Sequence, residues 1–264
     1  MLPTLLSLLP AKIGNLLTPD EDTQKLLAHI TDQFSTNPSR WFRPDGYQSI
    51  ALAILDAIYS TGNRYTGVTN LVNRYRDLRI GERADPEADT ASDLVDTFHR
   101  WGGVDEFVLK TNNRWRTSSQ SHAPYKAYAA LEAAKVLARH SIETVSDITG
   151  RLDSRESRER SDIAREWLAI TGQSSALTWS YFLMLVGIPG VKADRMIVRF
   201  VTQVLGRPRE VSRKEASRLV EEVADIMGVN YIYLDHTIWR YQSGRPYLQP
   251  ILTPHGGIEP PLPG

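Results

Sequence analysis

Apolar residues recur at helical spacing along almost the whole chain, and this periodicity limits the possible folds more than any other feature. The segment from Ile50 to Ile58 is apolar on nearly every side, which is typical of a helix buried at the centre of a domain. A further alanine-rich helix is predicted over residues 125–140, and residues 231–234 form the best short strand candidate. The pattern predicts an all-α fold.

Composition excludes several classes of protein. The 264 residues are 41% hydrophobic with 31 basic and 31 acidic side chains, so we expect a globular chain of one large or two small domains. The absence of cysteine excludes disulfide frameworks, zinc–cysteine sites and iron–sulfur clusters. The six histidines show no paired ligand spacing, so we expect neither a metal nor a cofactor.

The chain contains no apolar run of the ~18–20 residues that a membrane span needs. Residues 1–10 are apolar but contain two prolines and lack a basic leader, so we interpret them as a docking segment and not as a signal peptide. We therefore expect a cytoplasmic protein that does not associate with a membrane.

The most informative stretch is residues 177–201. It predicts a buried helix that ends at Gly187, a tight turn that contains Gly190, and a second helix that begins near Lys192. Such a turn leaves backbone N–H groups at a helix N-terminus, where a DNA phosphate can bind. Three basic residues lie within two turns and are predicted to contact phosphates: Lys192, Arg195 and Arg199. The alternative is an ordinary antiparallel helix pair joined by a Pro-Gly turn.

Three segments carry a resemblance to a known family. Residues 188–191, Ile-Pro-Gly-Val, resemble the hairpin of the helix–hairpin–helix DNA glycosylase superfamily, of the endonuclease III kind. Residues 46–58 are similar to the first buried barrel helix of that family. Residues 234–240, Leu-Asp-His-Thr-Ile-Trp-Arg, are similar to the segment that carries its invariant aspartate, here Asp235. The resemblance covers roughly residues 44–240.

The resemblance implies a two-layer helical fold with a DNA cleft between the layers. The barrel domain would span residues 37–205 and contain the hairpin, while residues 1–36 and 206–264 would form a second helical domain that carries Asp235. A helix opened by Ser212 and Glu215 is added between the hairpin and that aspartate.

The sequence departs from the family at two hairpin positions. Lys192 stands where the family has its second hairpin glycine, and Asp194 stands where bifunctional members carry the lysine that forms a Schiff base. The resemblance therefore implies a monofunctional enzyme that hydrolyses the N-glycosidic bond. Lyase chemistry through the slot of Asp194 is not expected.

Breaking an N-glycosidic bond develops positive charge on the sugar, so the site needs an anion beside C1′ and an activated water. The resemblance assigns this role to Asp235, which is predicted to lie just before a short helix over residues 236–241. Capping that helix would keep the carboxylate ionised, although a plain N-cap aspartate would look the same. His236 and Asp194 are candidates for supporting it. Ile58, Tyr59 and Trp115 are candidates for the base pocket or for a wedge into the duplex.

These inferences predict a monomeric DNA glycosylase that flips and excises a damaged or modified base from double-stranded DNA. Its role would be repair, or defence against phage DNA that carries modified bases. Two alternatives stay open: a helix–hairpin–helix DNA-binding protein without catalysis, and a helical protein–protein module that uses the acidic segment 77–106.

Overall fold

A computed structural model describes residues 19–34, 37–252 and 258–259. Its helices, over that part of the chain, are α1 Glu21–Gln33, α2 Ile50–Tyr59, α3 Tyr65–Gly81, α4 Ala91–Trp101, α5 Val104–Lys110, α6 Lys126–Arg139, α7 Val145–Arg151, α8 Arg155–Arg160, α9 Asp162–Ala169, α10 Leu177–Leu185, α11 Arg195–Leu205, α12 Arg213–Met227 and α13 Tyr231–Gln242. A 3-10 turn, Pro38–Arg40, and a two-stranded ladder of β1 Ile251–Leu252 and β2 Ile258–Glu259 accompany them. The predicted all-α class is confirmed. The predicted docking segment, residues 1–10, lies outside the described residues.

Helix α2 forms the centre of the molecule. The Ser49 hydroxyl caps it by accepting a hydrogen bond from the N–H of Leu52, and all ten residues of the helix are buried. Helices α3, α4, α6 and α10 pack around it. The buried central helix and the alanine-rich helix α6 were both predicted, and both are confirmed.

The buried apolar side chains form two clusters. The first core contains residues between Ile50 and Ile188, and the second core contains Leu26, Ile30, Phe34 and Trp41 together with residues between Val191 and Ile238. The clusters meet inside the hairpin, where Ile188 belongs to the first core and Val191 to the second. The cores thus divide the chain near residues 188–191, whereas the predicted domain boundary is at residue 205. The two positions differ because α11 packs into the second core with α1 and α13.

Two predictions concern the C-terminal helices, and one of them is confirmed. Ser212 caps α12 by accepting a hydrogen bond from the N–H of Glu215, as predicted. The strand candidate at residues 231–234 is wrong, because these residues form the first turn of α13. Asn230 starts that helix by accepting a hydrogen bond from the N–H of Ile232 at 2.8 Å.

Each described helix is too short or too polar to cross a bilayer.

Candidate active site at the hairpin

The hairpin between α10 and α11 positions the candidate residues. Gly187 has a φ of +89°, a left-handed conformation that favours glycine and reverses the chain after α10. The second helix starts at Arg195, three residues later than predicted. Asp194 is its N-cap and accepts hydrogen bonds from the N–H groups of Met196 (2.7 Å) and Ile197 (3.4 Å). The helix N-terminus that was predicted to bind an external anion is therefore capped by a carboxylate of the chain itself.

Asp235 lies in the first half of α13 and is only 7% exposed. Its Oδ1 accepts a hydrogen bond from the backbone N–H of Lys192 at 2.9 Å, which fastens α13 to the hairpin. Burial raises the pKa of Asp235 well above its usual range, and the neighbouring carboxylate of Asp194 raises it further, while Lys192 opposes the shift. The prediction that Asp235 caps a short helix is wrong, and burial favours its protonated form instead of the ionised form expected of a cap. The helix begins at Tyr231, and desolvation dominates.

Lys192 lies inside the protein, so the prediction that its side chain contacts DNA phosphates at the surface is wrong for this conformation. The residue is 9% exposed, and its Nζ donates a hydrogen bond to the Ser60 hydroxyl at 2.9 Å. The same Nζ lies 3.6 Å from the centre of the Tyr181 ring, within the range of a cation–π contact. Burial lowers the pKa of Lys192, and the nearby carboxylates of Asp194, Asp56 and Asp235 oppose that shift.

Asp56 is a member of the site that the sequence analysis missed. It is the only charged residue of α2 and is 1% exposed. Its Oδ2 accepts hydrogen bonds from the hydroxyls of Tyr47 (2.9 Å) and Tyr65 (3.2 Å). Burial raises its pKa, and the hydroxyls of Tyr47, Tyr65 and Tyr181 and the charge of Lys192 oppose that rise. A lone carboxylate inside an apolar helix was the available sequence signal.

We refer to Asp56, Ser60, Lys192 and Asp235 as the Lys192 cluster. The cluster lies where the two cores meet, because α2 belongs to the first core and α13 to the second. A second buried lysine, Lys126, binds the C-terminal end of α2 beside Ser60. Lys126 Nζ donates hydrogen bonds to the carbonyls of Ile58 (3.0 Å) and Thr61 (2.6 Å). Burial lowers the pKa of Lys126 to about 7, and the charge of Lys192 adds to the effect.

An aromatic contact joins the two cores next to the cluster. The ring of Tyr65 meets the edge of Trp239 with centroids 6.0 Å apart. His236 stacks on Trp239 at an interplanar angle of 14°, and the Arg245 guanidinium lies 4.7 Å from the Trp239 ring centre. Burial, together with the charges of Arg240 and Arg245, lowers the pKa of His236 to about 4. His236 is therefore neutral at pH 7.

The residues predicted to form a base pocket or wedge are packed into the first core. Ile58 and Tyr59 are fully buried, so neither side chain can enter a DNA duplex in this conformation. Trp115 packs against Tyr59, with ring centroids 6.2 Å apart, and against Gly67. A Cβ on Gly67 would lie 2.3 Å from Cη2 of Trp115, so the close approach of this indole requires glycine. Tyr59 and Trp115 pack together, and Ile58 is a buried member of the same first core.

Two of the predicted DNA contacts do face solvent. Arg195 and Arg199 lie one turn apart on α11, and both are exposed. Gly190, at the tip of the hairpin, is half-buried. Across residues 19–34 and 37–252, no group of three or more histidine, aspartate or glutamate side chains is placed to hold a metal ion.

A protein-family model described as a domain of unknown function (DUF8548) matches residues 24–243. No curated protein matches the chain.

Proposed function

The chain belongs to the DUF8548 family, and we propose from the residues of its hairpin site that it is a DNA glycosylase. The enzyme would flip a damaged or modified base out of double-stranded DNA and hydrolyse its N-glycosidic bond. Asp235 would be the catalytic residue, and Arg195 and Arg199 would contact the phosphate backbone.

The observation that carries this proposal is the hydrogen bond from the Lys192 N–H to Asp235. It ties the carboxylate identified by the resemblance to the hairpin identified by the same resemblance, although 42 residues separate the two in the chain. The exposed Arg195 and Arg199 follow directly from that hairpin, so a duplex on this face would bring a sugar towards Asp235.

The chemistry needs one carboxylate and one water. As the bond from C1′ to the base nitrogen breaks, its electron pair leaves with the base, and an ionised Asp235 stabilises the positive charge on the sugar. A water oxygen then forms the new bond to C1′, and its proton passes to the carboxylate. The departing base takes a proton from solvent, which leaves an abasic site.

The substrate requires an opening that the described conformation lacks. Asp235, Lys192 and Asp56 are all buried, so an everted base can reach them only if the two cores separate locally. The contact between Tyr65 and Trp239 adjoins the cluster and joins the cores, and it is the contact we expect to open. Such opening would also hydrate Asp235 and favour its ionised form.

The test is a release assay on matched duplexes that differ only in one base: undamaged, alkylated, oxidised, deaminated or carrying a bulky phage-type modification. Mass spectrometry identifies the free base, and cleavage by alkali reports the abasic site. We expect release from at least one duplex and a fall of at least ~10²-fold for Asp235→Asn, the scale for losing a preorganised electrostatic group.

Asp89→Asn is the matched control, because Asp89 is a buried carboxylate that lies outside the Lys192 cluster. It should lower stability without lowering release in the folded protein. A fully active Asp235→Asn protein would contradict the assignment, and the carboxylate of Asp194 would then be the next candidate.

The burial of Asp235 favours one second function. A carboxylate whose protonated form is stabilised and which holds a backbone N–H is also what a purely structural role requires. The protein would then bind DNA through Arg195 and Arg199 without cutting it. Salt-dependent DNA binding with no released base on any duplex would support this alternative.

A further inference from the structure

Burying the carboxylate of Asp56 costs free energy, and its surroundings compensate for that cost only in part. A carboxylate that is 1% exposed inside an apolar helix is costly unless its oxygens are hydrogen-bonded. Oδ2 accepts two tyrosine hydroxyls, whereas Oδ1 has no hydrogen-bond partner among the described residues. Buried polar atoms are rarely left unpaired, so a free acceptor in such a place points to a missing donor.

The contacts of Lys192 show how Asp56 and Asp235 are related in space. The backbone N–H of Lys192 contacts Asp235, and its Nζ reaches Ser60, one helical turn beyond Asp56. Both carboxylates therefore lie beside the same lysine, Asp235 at its backbone N–H and Asp56 near enough to the charge of its Nζ to shift its pKa. A sugar at Asp235 would therefore direct its base towards Asp56.

We infer that Oδ1 of Asp56 recognises the excised base by accepting a hydrogen bond from a ring N–H or an exocyclic amino group. This inference rests on the proposed glycosylase function and adds the substrate class. The hydroxyls of Tyr47 and Tyr65 donate to Oδ2 and fix the orientation of the carboxylate, which leaves Oδ1 for the ligand. A base that presents only acceptors at this edge would leave Oδ1 unpaired.

The size of the effect follows from the chemistry. A hydrogen bond to a charged group inside a protein discriminates by roughly 10- to 100-fold against an analogue that lacks the donor. Asp56→Asn removes the charge and turns part of the group into a donor. Asp56→Leu removes the polar group entirely and suits the apolar helix.

The experiment measures single-turnover base release from pairs of duplexes whose target bases differ in one donor at the base edge. An example is a base with an amino group against its deaminated counterpart. Wild-type protein should prefer the base with the donor by at least ~10-fold, and Asp56→Asn and Asp56→Leu should each reduce that ratio to near one. Both variants should bind a duplex with a tetrahydrofuran abasic analogue as the wild type does, because that duplex presents no base.

Asp89→Asn is the matched control, since Asp89 is a buried carboxylate that also accepts a tyrosine hydroxyl, that of Tyr75. It should keep the wild-type preference. An active wild type whose preference is unchanged in both Asp56 variants overturns this inference alone. A wild type that releases no base from any duplex overturns the proposed function and this inference with it. If Asp56→Asn fails to fold, Asp56→Leu decides the outcome.

Discussion

Replacing Arg79 by methionine should cost more stability than any single surface change in this protein. The guanidinium donates to both oxygens of Asp89, from Nε and Nη2, each at 2.8 Å. The side chains of the pair are 7% and 4% exposed, so water cannot replace the lost donors. Only the hydroxyl of Tyr75 would then remain on the Asp89 carboxylate.

Removing one partner of a buried ion pair costs about 3–5 kcal/mol, because the other charge stays buried and uncompensated. Two features of this site place the cost towards the upper end. Arg79 also pairs with Glu82 at 2.7 Å. The backbone carbonyl of Asp89 accepts hydrogen bonds from Ser49 and from the N–H of Ala51, so the pair anchors the start of α2. A chain of this kind has a total stability of about 5–15 kcal/mol, so the loss is a large share of it.

The assay is urea unfolding at neutral pH, followed by circular dichroism. Arg165→Met is the control, because the pair of Arg165 with Asp162 is about 70% exposed and should contribute less than about 1 kcal/mol. The double variant Arg79→Met/Asp89→Leu should be more stable than Arg79→Met alone, since it removes the stranded charge. If Arg79→Met costs no more than Arg165→Met, the reasoning about buried pairs is refuted for this site.

Two further predictions concern DNA and pH. The double reversal Arg195→Glu/Arg199→Glu should weaken binding to every duplex alike and flatten the plot of log affinity against log salt by about two units, whereas Arg160→Glu on the exposed face of α8 should leave the slope unchanged. An unaltered slope in the double reversal would remove α11 from the DNA surface. The kcat/KM for base release, which reports groups of the free closed protein, should rise with pH with a midpoint well above 3.8, because burial and Asp194 raise the pKa of Asp235 there and only the ionised form supports the reaction. A release rate that is already constant from about pH 5 upward contradicts this sign.

Several helices could be predicted from sequence because they combine an apolar face with a recognisable start or an unbroken apolar run. The spacing of Ser212 and Glu215 predicted α12, and the unbroken apolar run predicted α2. Helix α13 was harder, because Tyr-Ile-Tyr-Leu alternates aromatic and branched residues as a strand does. Its start depends on the Asn230 side chain and on packing against α11 and α12. This tertiary packing overrides the local strand preference of residues 231–234. As a result, Asp235 lies within the helix and not at its start, where it was predicted.

The candidate site was predictable only in part, because a sequence shows charge but not which way a side chain points. Lys192 lies in a basic stretch, and that stretch suggested a surface role. The structure turns it inward, where Asp56, Asp194 and Asp235 oppose the lowering of its pKa by burial. Asp56 was overlooked for the opposite reason, since an apolar run hides one polar residue from a periodicity analysis.

The state of Asp235 links the closed site to its proposed chemistry. In the described conformation burial stabilises the protonated carboxyl, which cannot stabilise a cationic sugar. Opening of the contact between Tyr65 and Trp239 would admit water and a flipped base together, and both the hydration and the neighbouring charge of Lys192 favour the ionised form. A duplex that keeps the two cores apart would therefore favour the ionised form of Asp235 when the sugar reaches it. In the free protein the same residue joins α13 to the hairpin through its hydrogen bond with the Lys192 N–H.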